Sequence, residues 1–360
     1  MTGFVHDVPA ARVVFAAGAL AQVPAEAARL GGQRVLLIGD PGAKAYADEL
    51  AAALGGRLAA RIDEVVMHVP VAVAEAAVAR ATAVAADLVV CVGGGSATGL
   101  AKAVAKQTHL PVLAVPTTYA GSEMTPIWGL TEGARKTTGR DRHVLPRTVV
   151  YDPLLTVGLP VPVSAASGMN AAAHCVEALY APAASPVTAL LAEEGLRALA
   201  AALPRVVADP SDVDARGAAL YGAWLAGSVL GIAGMGVHHK VCHVLGGSYD
   251  LPHGGVHSAV LPYATAFNAP YAGAAMTRAG RALGSADPAG ALWDLAAAIG
   301  APTSLVALGF RVEEVDAAAE LVAAAPPENP RQVDRAGIRD LLLAACAGHR
   351  PSAGEHQHVG

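Results

Sequence analysis

Short β-branched apolar runs alternate with alanine-rich stretches through the first 150 residues, and this alternation admits few folds. The runs are RVVF (12–15), RVLLIGD (34–40), EVVMHV (64–69), DLVVCVGGG (87–95), PVLAVPTT (111–118) and TVVYDP (148–153). Between several of them lie segments such as VAVAEAAVARATAVAA (71–86), apolar at helical spacing. Strand runs without a polar face are buried on both sides, and strands separated by helices pair in parallel. The first part of the chain is therefore expected to form a parallel sheet with helices on both faces.

After Pro153 the strand-like runs stop, and Ala/Leu-rich stretches broken by Pro and Gly continue to the end. Helices are expected near 164–181, 186–203, 212–235, 255–268, 287–299, 312–324 and 334–347. This gives an α/β domain over 1–155 and an all-helical domain over 156–360. Open α/β sheets bind ligands at the carboxyl ends of their strands, so the active site is expected in a cleft facing the helical domain. The polar tail from Gly348, with His356 and His358, is expected to fray and needs no functional account.

A net charge of −5 supplies no long-range field for nucleic acid or an anionic membrane, so local cations must meet any acidic substrate. Cys91, Cys175, Cys242 and Cys346 lie far apart in apolar sequence with no CxxC pair, as buried thiols of a reducing compartment would. The start, MTGFVHDVPAARVVF, has no basic segment followed by an apolar run, so a cytoplasmic protein is expected. Residues 217–237 carry no charge over a length that could span a bilayer. Their Ala/Gly content, with Tyr221 and Ser228, favours a buried helix instead.

VVCVGGGSATGLAKAVAK (89–106) has the order strand, glycine turn, helix. Gly93, Gly94 and Gly95 let backbone N–H groups approach an anion, and Ser96 is placed to cap the following helix, whose positive end favours a diphosphate. The GxGxxG spacing fails, since Thr98 stands at the last glycine position, and a GGG turn that merely links strand to helix is the competing explanation. Asp40, ending the second strand, can accept from a ribose diol and would repel a 2′-phosphate, although an Asp before Pro-Gly also serves as an ordinary turn residue. VPTTYAGSEMTP (115–126) offers a polar wall beside the glycine turn. GMGVHHKVCHVLGGSYDLPHGGVH (234–257) contains five histidines that this stretch alone cannot assign to metal, acid–base or structural roles.

Several motifs together resemble the iron-containing alcohol dehydrogenase superfamily, and within it the maleylacetate reductases. They are GGGS after a strand, PTTYAGSEMTPIWGLTEGARKTTGRDRHVLPRTVVYDP, SGMNAAAHCVEALYAP, LYGAWLAGSVLG, HHKVCHVLGGSYDLPH and the late NPR. The resemblance implies the dehydroquinate synthase-like fold of that superfamily: an α/β dinucleotide-binding domain, a helical domain, and a homodimer. It places the diphosphate of NAD on Gly94, Gly95 and Ser96, runs Thr117, Thr118 and Ser122 along the cofactor, and sets Lys136 beside the nicotinamide ribose. NADH is the expected donor, with NADPH tolerated.

Metal-dependent relatives bind their ion through an Asp and a His four residues apart and two further histidines. Here Asn170 stands at the Asp position, followed by His174, with His239 and His253 at the other two and His243 at a neighbouring catalytic position. Losing the one anionic ligand removes charge neutralisation, although three histidines can hold zinc. A metal-free enzyme is therefore expected. Hydride addition to an enone such as maleylacetate, a dicarboxylate, spreads charge to an enolate that needs donors and a proton. In this reading His243 or His253 gives the proton, His174, His239 and Asn170 orient the enolate, and Lys240, Lys136 and Arg140 are cations for the carboxylates. His238 and His257 are read as satisfied buried histidines. The product would be 3-oxoadipate, formed late in aromatic ring degradation. Competing readings are a metal-dependent alcohol dehydrogenase, a lyase like dehydroquinate synthase, and a non-catalytic NAD sensor.

Overall fold

A computed structural model of the chain describes His6, residues 11–133 and residues 135–351, without the side chains of Arg135 and Lys136. The strands are β1 (Arg12–Phe15), β2 (Val35–Gly39), β3 (Leu58–Ile62), β4 (Leu88–Gly93), β5 (Val112–Pro116), β6 (Ile127–Glu132), β7 (Arg135–Arg140) and β8 (Thr148–Tyr151). The first helices are α1 (Val23–Arg29), α2 (Lys44–Leu54), α3 (Val71–Ala83) and α4 (Gly95–Thr108). Those that follow are α5 (Val161–Ala178), α6 (Pro186–Ala208), α7 (Val213–Ala233), α8 (Val237–Ser248), α9 (His253–Asn268), α10 (Gly273–Leu283), α11 (Pro288–Ala298), α12 (Val315–Ala323) and α13 (Arg335–Ala347).

The expected α/β and all-helical classes are both present. The described residues form two compact units, one within 11–159 with Ser211–Leu220, the other from Pro160–Pro210 and residues 221–351 with His6. In the α/β unit six parallel strands run in the order β1-β8-β5-β4-β2-β3. Alternate residues of each central strand serve opposite faces. Leu37, Val90, Val92 and Leu113 pack with Val23, Leu50 and Leu54 of α1 and α2. Leu36, Ile38, Val89 and Cys91 pack with Ala77, Ala81, Leu100 and Val104 of α3 and α4. Each buried Val, Leu or Ile contributes roughly 1.5–3 kcal/mol, so the two-faced burial accounts for the unbroken apolar runs.

Three features differ from the sequence reading. The strand expected at 64–69 is a loop in which His68 and Val69 take positive φ of 65° and 48°, and the third strand is LAARI at 58–62. Its Ala and Arg content suits a half-buried edge. An antiparallel hairpin of β6 and β7 was not anticipated, because its polar RKTTGR arm lacks the alternation of a buried strand. The uncharged stretch 217–237 is interrupted at Gly234, φ 79°. Among the described residues no single helix is long and apolar enough to cross a membrane; α7 and α8 would pass together by length and composition, but they meet at 98°.

In the helical unit α9 is buried from Gly255 to Asn268. Val256, Val260 and Phe267 on it pack with Val241 and Leu245 of α8 and Ile338 and Leu342 of α13. Helix α5 lies so close to α6 that a Cβ on Gly168 would fall 2.4 Å from Cδ2 of the fully buried Leu203. Since α5 carries three of the site residues, this contact fixes their height. Gly168→Val should destabilise the fold by about 1–3 kcal/mol through overpacking, measured as a lower urea midpoint with an unchanged m-value.

Candidate active site

In the α/β unit, β4 runs into α4 through Gly93 at φ 145°, where a Cβ would lie 2.3 Å from the Cβ of Asp40. Only glycine fits there. Gly94 caps α4 with no side-chain hydrogen bond. Ser96 therefore does not cap the helix as expected; it lies within the first turn, whose N–H groups stay available to an anion. Thr117 N–H donates to Gly93 O at 3.0 Å, and a Cβ on Gly94 would sit 3.1 Å from Thr118 Cγ2. The loop after β5 thus lies on the glycine turn, bringing Gly94, Gly95, Ser96, Thr117 and Thr118 together. Ser122 begins a short 3-10 turn farther along the same loop. Asp40 Oδ1 accepts from Gly42 N–H at 2.9 Å, the turn-forming role weighed for it. Lys136 lies in β7 with its side chain outside the described residues, and Arg140, which ends β7, is exposed.

In the helical unit, Asn170, His174 and Glu177 recur at i, i+4 and i+7 on one face of α5. Helix α8 carries His238, His239, Lys240 and His243, and α9 carries His253 and His257. Asn170, His174, His238, His239, His257 and Glu177 are buried, Lys240 is half-buried, and His243 and His253 are exposed. The His174 and His239 rings stack at 5.0 Å, and His257 lies 4.8 Å from His239 and 4.3 Å from His253, centroid to centroid.

Glu177, which the sequence reading did not single out, organises this group. Its Oε1 accepts from His238 N–H at 2.8 Å, and its Oε2 from His239 N–H at 3.4 Å and His239 Nδ1–H at 2.6 Å. The N-cap of α8, Gly236, makes no side-chain bond of its own, so Glu177 satisfies two helix-terminal donors from a neighbouring helix. Asn329, in the NPR motif, accepts from Val237 N–H at 3.2 Å and donates to Asn268 Oδ1 and Arg331 O, both at 2.7 Å. Two distant segments therefore cap the histidine helix.

These bonds fix tautomers. A carboxylate that accepts from Nδ1–H leaves His239 Nε2 with a lone pair. His238 donates from Nε2 to His257 O at 2.9 Å, so its Nδ1 is the acceptor, and His238 is the satisfied histidine expected. His257 is not: among the described residues neither of its ring nitrogens has a hydrogen-bond partner, nor do Asn170 Oδ1, His174 Nδ1 and His239 Nε2. Each such buried atom costs about 1–3 kcal/mol, and their concentration here marks a place built to meet something polar. Burial, and then the neighbouring imidazoles, holds His174, His239 and His257 well below the usual histidine range. Burial also brings His238 down to about 4 and pushes Glu177 up. The buried imidazoles are therefore neutral at pH 7.

Residues 10–153 match the family described as iron-containing alcohol dehydrogenase, and residues 164–346 its C-terminal part. The chain belongs to the iron-containing alcohol dehydrogenase family. It is 52% identical to a maleylacetate reductase of Sphingobium indicum over 348 residues, covering 97% of this chain and 99% of that one. A maleylacetate reductase of Burkholderia cepacia is 48% identical, covering 98% and 100%. Among solved structures, maleylacetate reductase from Agrobacterium tumefaciens superposes with a TM-score of 0.95 at 47% identity, covering 98% of this chain and all of that one. The family's name implies iron, and the donor set does not fit a divalent ion well. Position 170 is a neutral amide, and the Glu177 carboxylate is committed to α8. Among the described residues the trio whose nitrogens lie within 4.8 Å of one another is His238, His239 and His257, in which His238 donates through Nε2 and its Nδ1 faces His239 Nδ1 at 3.3 Å.

Two outcomes follow for stability. Glu177→Leu would strand two backbone N–H groups and Nδ1–H, costing about 2–4 kcal/mol in urea unfolding. Histidines with lowered folded pKa stabilise fully above their unfolded value of 6.5, and this stability is lost as pH falls toward the folded values, about 4 for His238. Glu177, whose pKa is raised by burial, acts in the opposite sense above its own unfolded value. Each histidine adds roughly 1.4 kcal/mol per pH unit. Unfolding free energy should fall steeply from pH 6.5 to 5, and less steeply in His257→Gln.

Proposed function

We propose that this oxidoreductase uses NADH to reduce the C=C bond of maleylacetate to 3-oxoadipate. The observation that carries the reading is identity of 45–52% to maleylacetate reductases over nearly the whole chain. The uncapped N-terminus of α4 suits a diphosphate, and Asp40 beside Gly93 suits an unphosphorylated ribose. Hydride adds to the alkene carbon β to the ketone, and the resulting enolate takes a proton at its α-carbon.

The chemistry of position 170 supports this reading. An Asp carboxylate would only accept hydrogen bonds, whereas the Asn170 amide also carries two N–H donors that can face an enolate oxygen without adding negative charge. His239, presenting a lone pair, serves as an acceptor that orients a donor rather than as a donor itself. Lys240 is the cation for a carboxylate, and exposed His243, one turn beyond His239, delivers the proton. His253 is the alternative donor. Hydride acceptance at carbon rather than at a polarised carbonyl places less demand on a Lewis acid, so catalysis without a metal belongs to this proposal. So do a homodimer and a cytoplasmic setting, which the four buried thiols suit.

A metal-dependent alcohol dehydrogenase is the second reading. It is favoured by the Glu177–His239 pair, since metal-bound histidines are commonly oriented by a carboxylate in this way. One experiment separates the two. Purified protein should oxidise one NADH per maleylacetate, followed by nicotinamide absorbance, at the same rate before and after exhaustive chelation. Loss of turnover on chelation, restored by iron or zinc, overturns the metal-free reading. His243→Ala should lower kcat at least 100-fold while the Kd for NADH changes less than threefold.

A further inference from the structure

Lys102 has no part in the chemistry proposed above, yet it is 1% exposed. A lysine buried to this degree is rare and costly unless fully partnered. Burial draws its pKa down to about 7 against the pull of Glu123 and Cys91. Its ammonium is held on one short loop: Nζ donates to Ser122 O at 2.5 Å, to Thr125 Oγ1 at 2.9 Å and to Ile127 O at 2.9 Å. Ser122 Oγ lies within reach as well, at 3.4 Å, so every ammonium hydrogen has an acceptor. Thr125 Oγ1 in turn donates to Ser122 O at 3.1 Å, so the loop is closed on itself around the lysine.

Lys102 stands seven residues after Gly95 on α4, about 10 Å along the helix, too far to touch a diphosphate at the helix N-terminus. The loop it grips, however, continues from the Thr117–Thr118 segment that lies on the glycine turn. Other anchors hold the same loop: Arg216 donates to Tyr119 OH at 3.2 Å, and Tyr151 OH to Glu123 Oε1 at 2.7 Å. Lys102 alone among them joins the loop to the helix that begins at the diphosphate turn.

We infer that Lys102 is a positioning residue for the dinucleotide, stapling the Ser122–Ile127 segment to α4 so that Thr117, Thr118 and Ser122 form a fixed wall beside the glycine turn. The inference rests on the NADH reading given above. Lys102→Met keeps the length and burial of the side chain but leaves Ile127 O without this donor. Thr125→Val keeps the lysine and removes one acceptor.

The test measures Kd for NADH by fluorescence titration, kcat at saturating NADH, KM for maleylacetate and the apo melting temperature. For Lys102→Met the loss should be concentrated in NADH binding, with Kd raised at least tenfold and a much smaller change in kcat or substrate KM. Thr125→Val should move Kd in the same direction by a few-fold. A folded Lys102→Met protein with wild-type Kd overturns the inference, as does an equal loss in every parameter alongside a lower melting temperature. If Lys102→Met does not fold, an unchanged Kd in Thr125→Val overturns it. A wild-type protein that binds no NADH removes the cofactor reading as well, an outcome distinct from equal binding by wild type and variant.

Discussion

A buried carboxylate without partners costs several kcal/mol, and Glu177 is fully buried in the helical unit. It is tolerated because two backbone N–H groups and an imidazole N–H converge on it from α8. The same bonds start the helix, set the rotation of its histidine face and choose the tautomer of His239. The arrangement of the other site residues follows from that one satisfied charge, since His174 shares its helix, and His257 meets the ring it orients edge-on.

The two units thus prepare for negative charge by different means. The α/β unit offers backbone N–H groups at a helix end, opened by Gly93 and left uncovered by any side chain. The helical unit offers an amide and imidazoles that burial, and then their neighbours, keep uncharged. Neutral donors can follow charge that appears during a reaction without repelling one another beforehand.

How much of this was legible depended on burial. Strands β2, β4, β5 and β8 could be read directly, because two covered faces demand unbroken Val/Leu/Ile runs. LAARI could not, because an edge strand with half-buried positions leaves alanine and arginine acceptable. The histidine cluster is visible in the sequence, but that the ring nitrogens of His257 meet no hydrogen-bond partner among the described residues depends on how the buried helices pack. Glu177 did leave a signal, a charge at i+7 from Asn170 in NAAAHCVE and the only acidic or basic side chain apart from His174 in α5. Lys102 left a similar one in the apolar stretch LAKAVA. The return of Ser211–Leu220 to the α/β unit had none, since its composition matches the helix it opens.

Asn329 has a consequence for how the chain matures. The bond that caps Val237 comes from a residue 92 positions later in the chain, so during synthesis the histidine helix emerges long before its second anchor does. The α/β unit can assemble early, as amino-terminal portions of a growing polypeptide commonly do. The imidazole cluster reaches its final order only once synthesis has passed Asn329, after both segments of the α/β unit have already emerged.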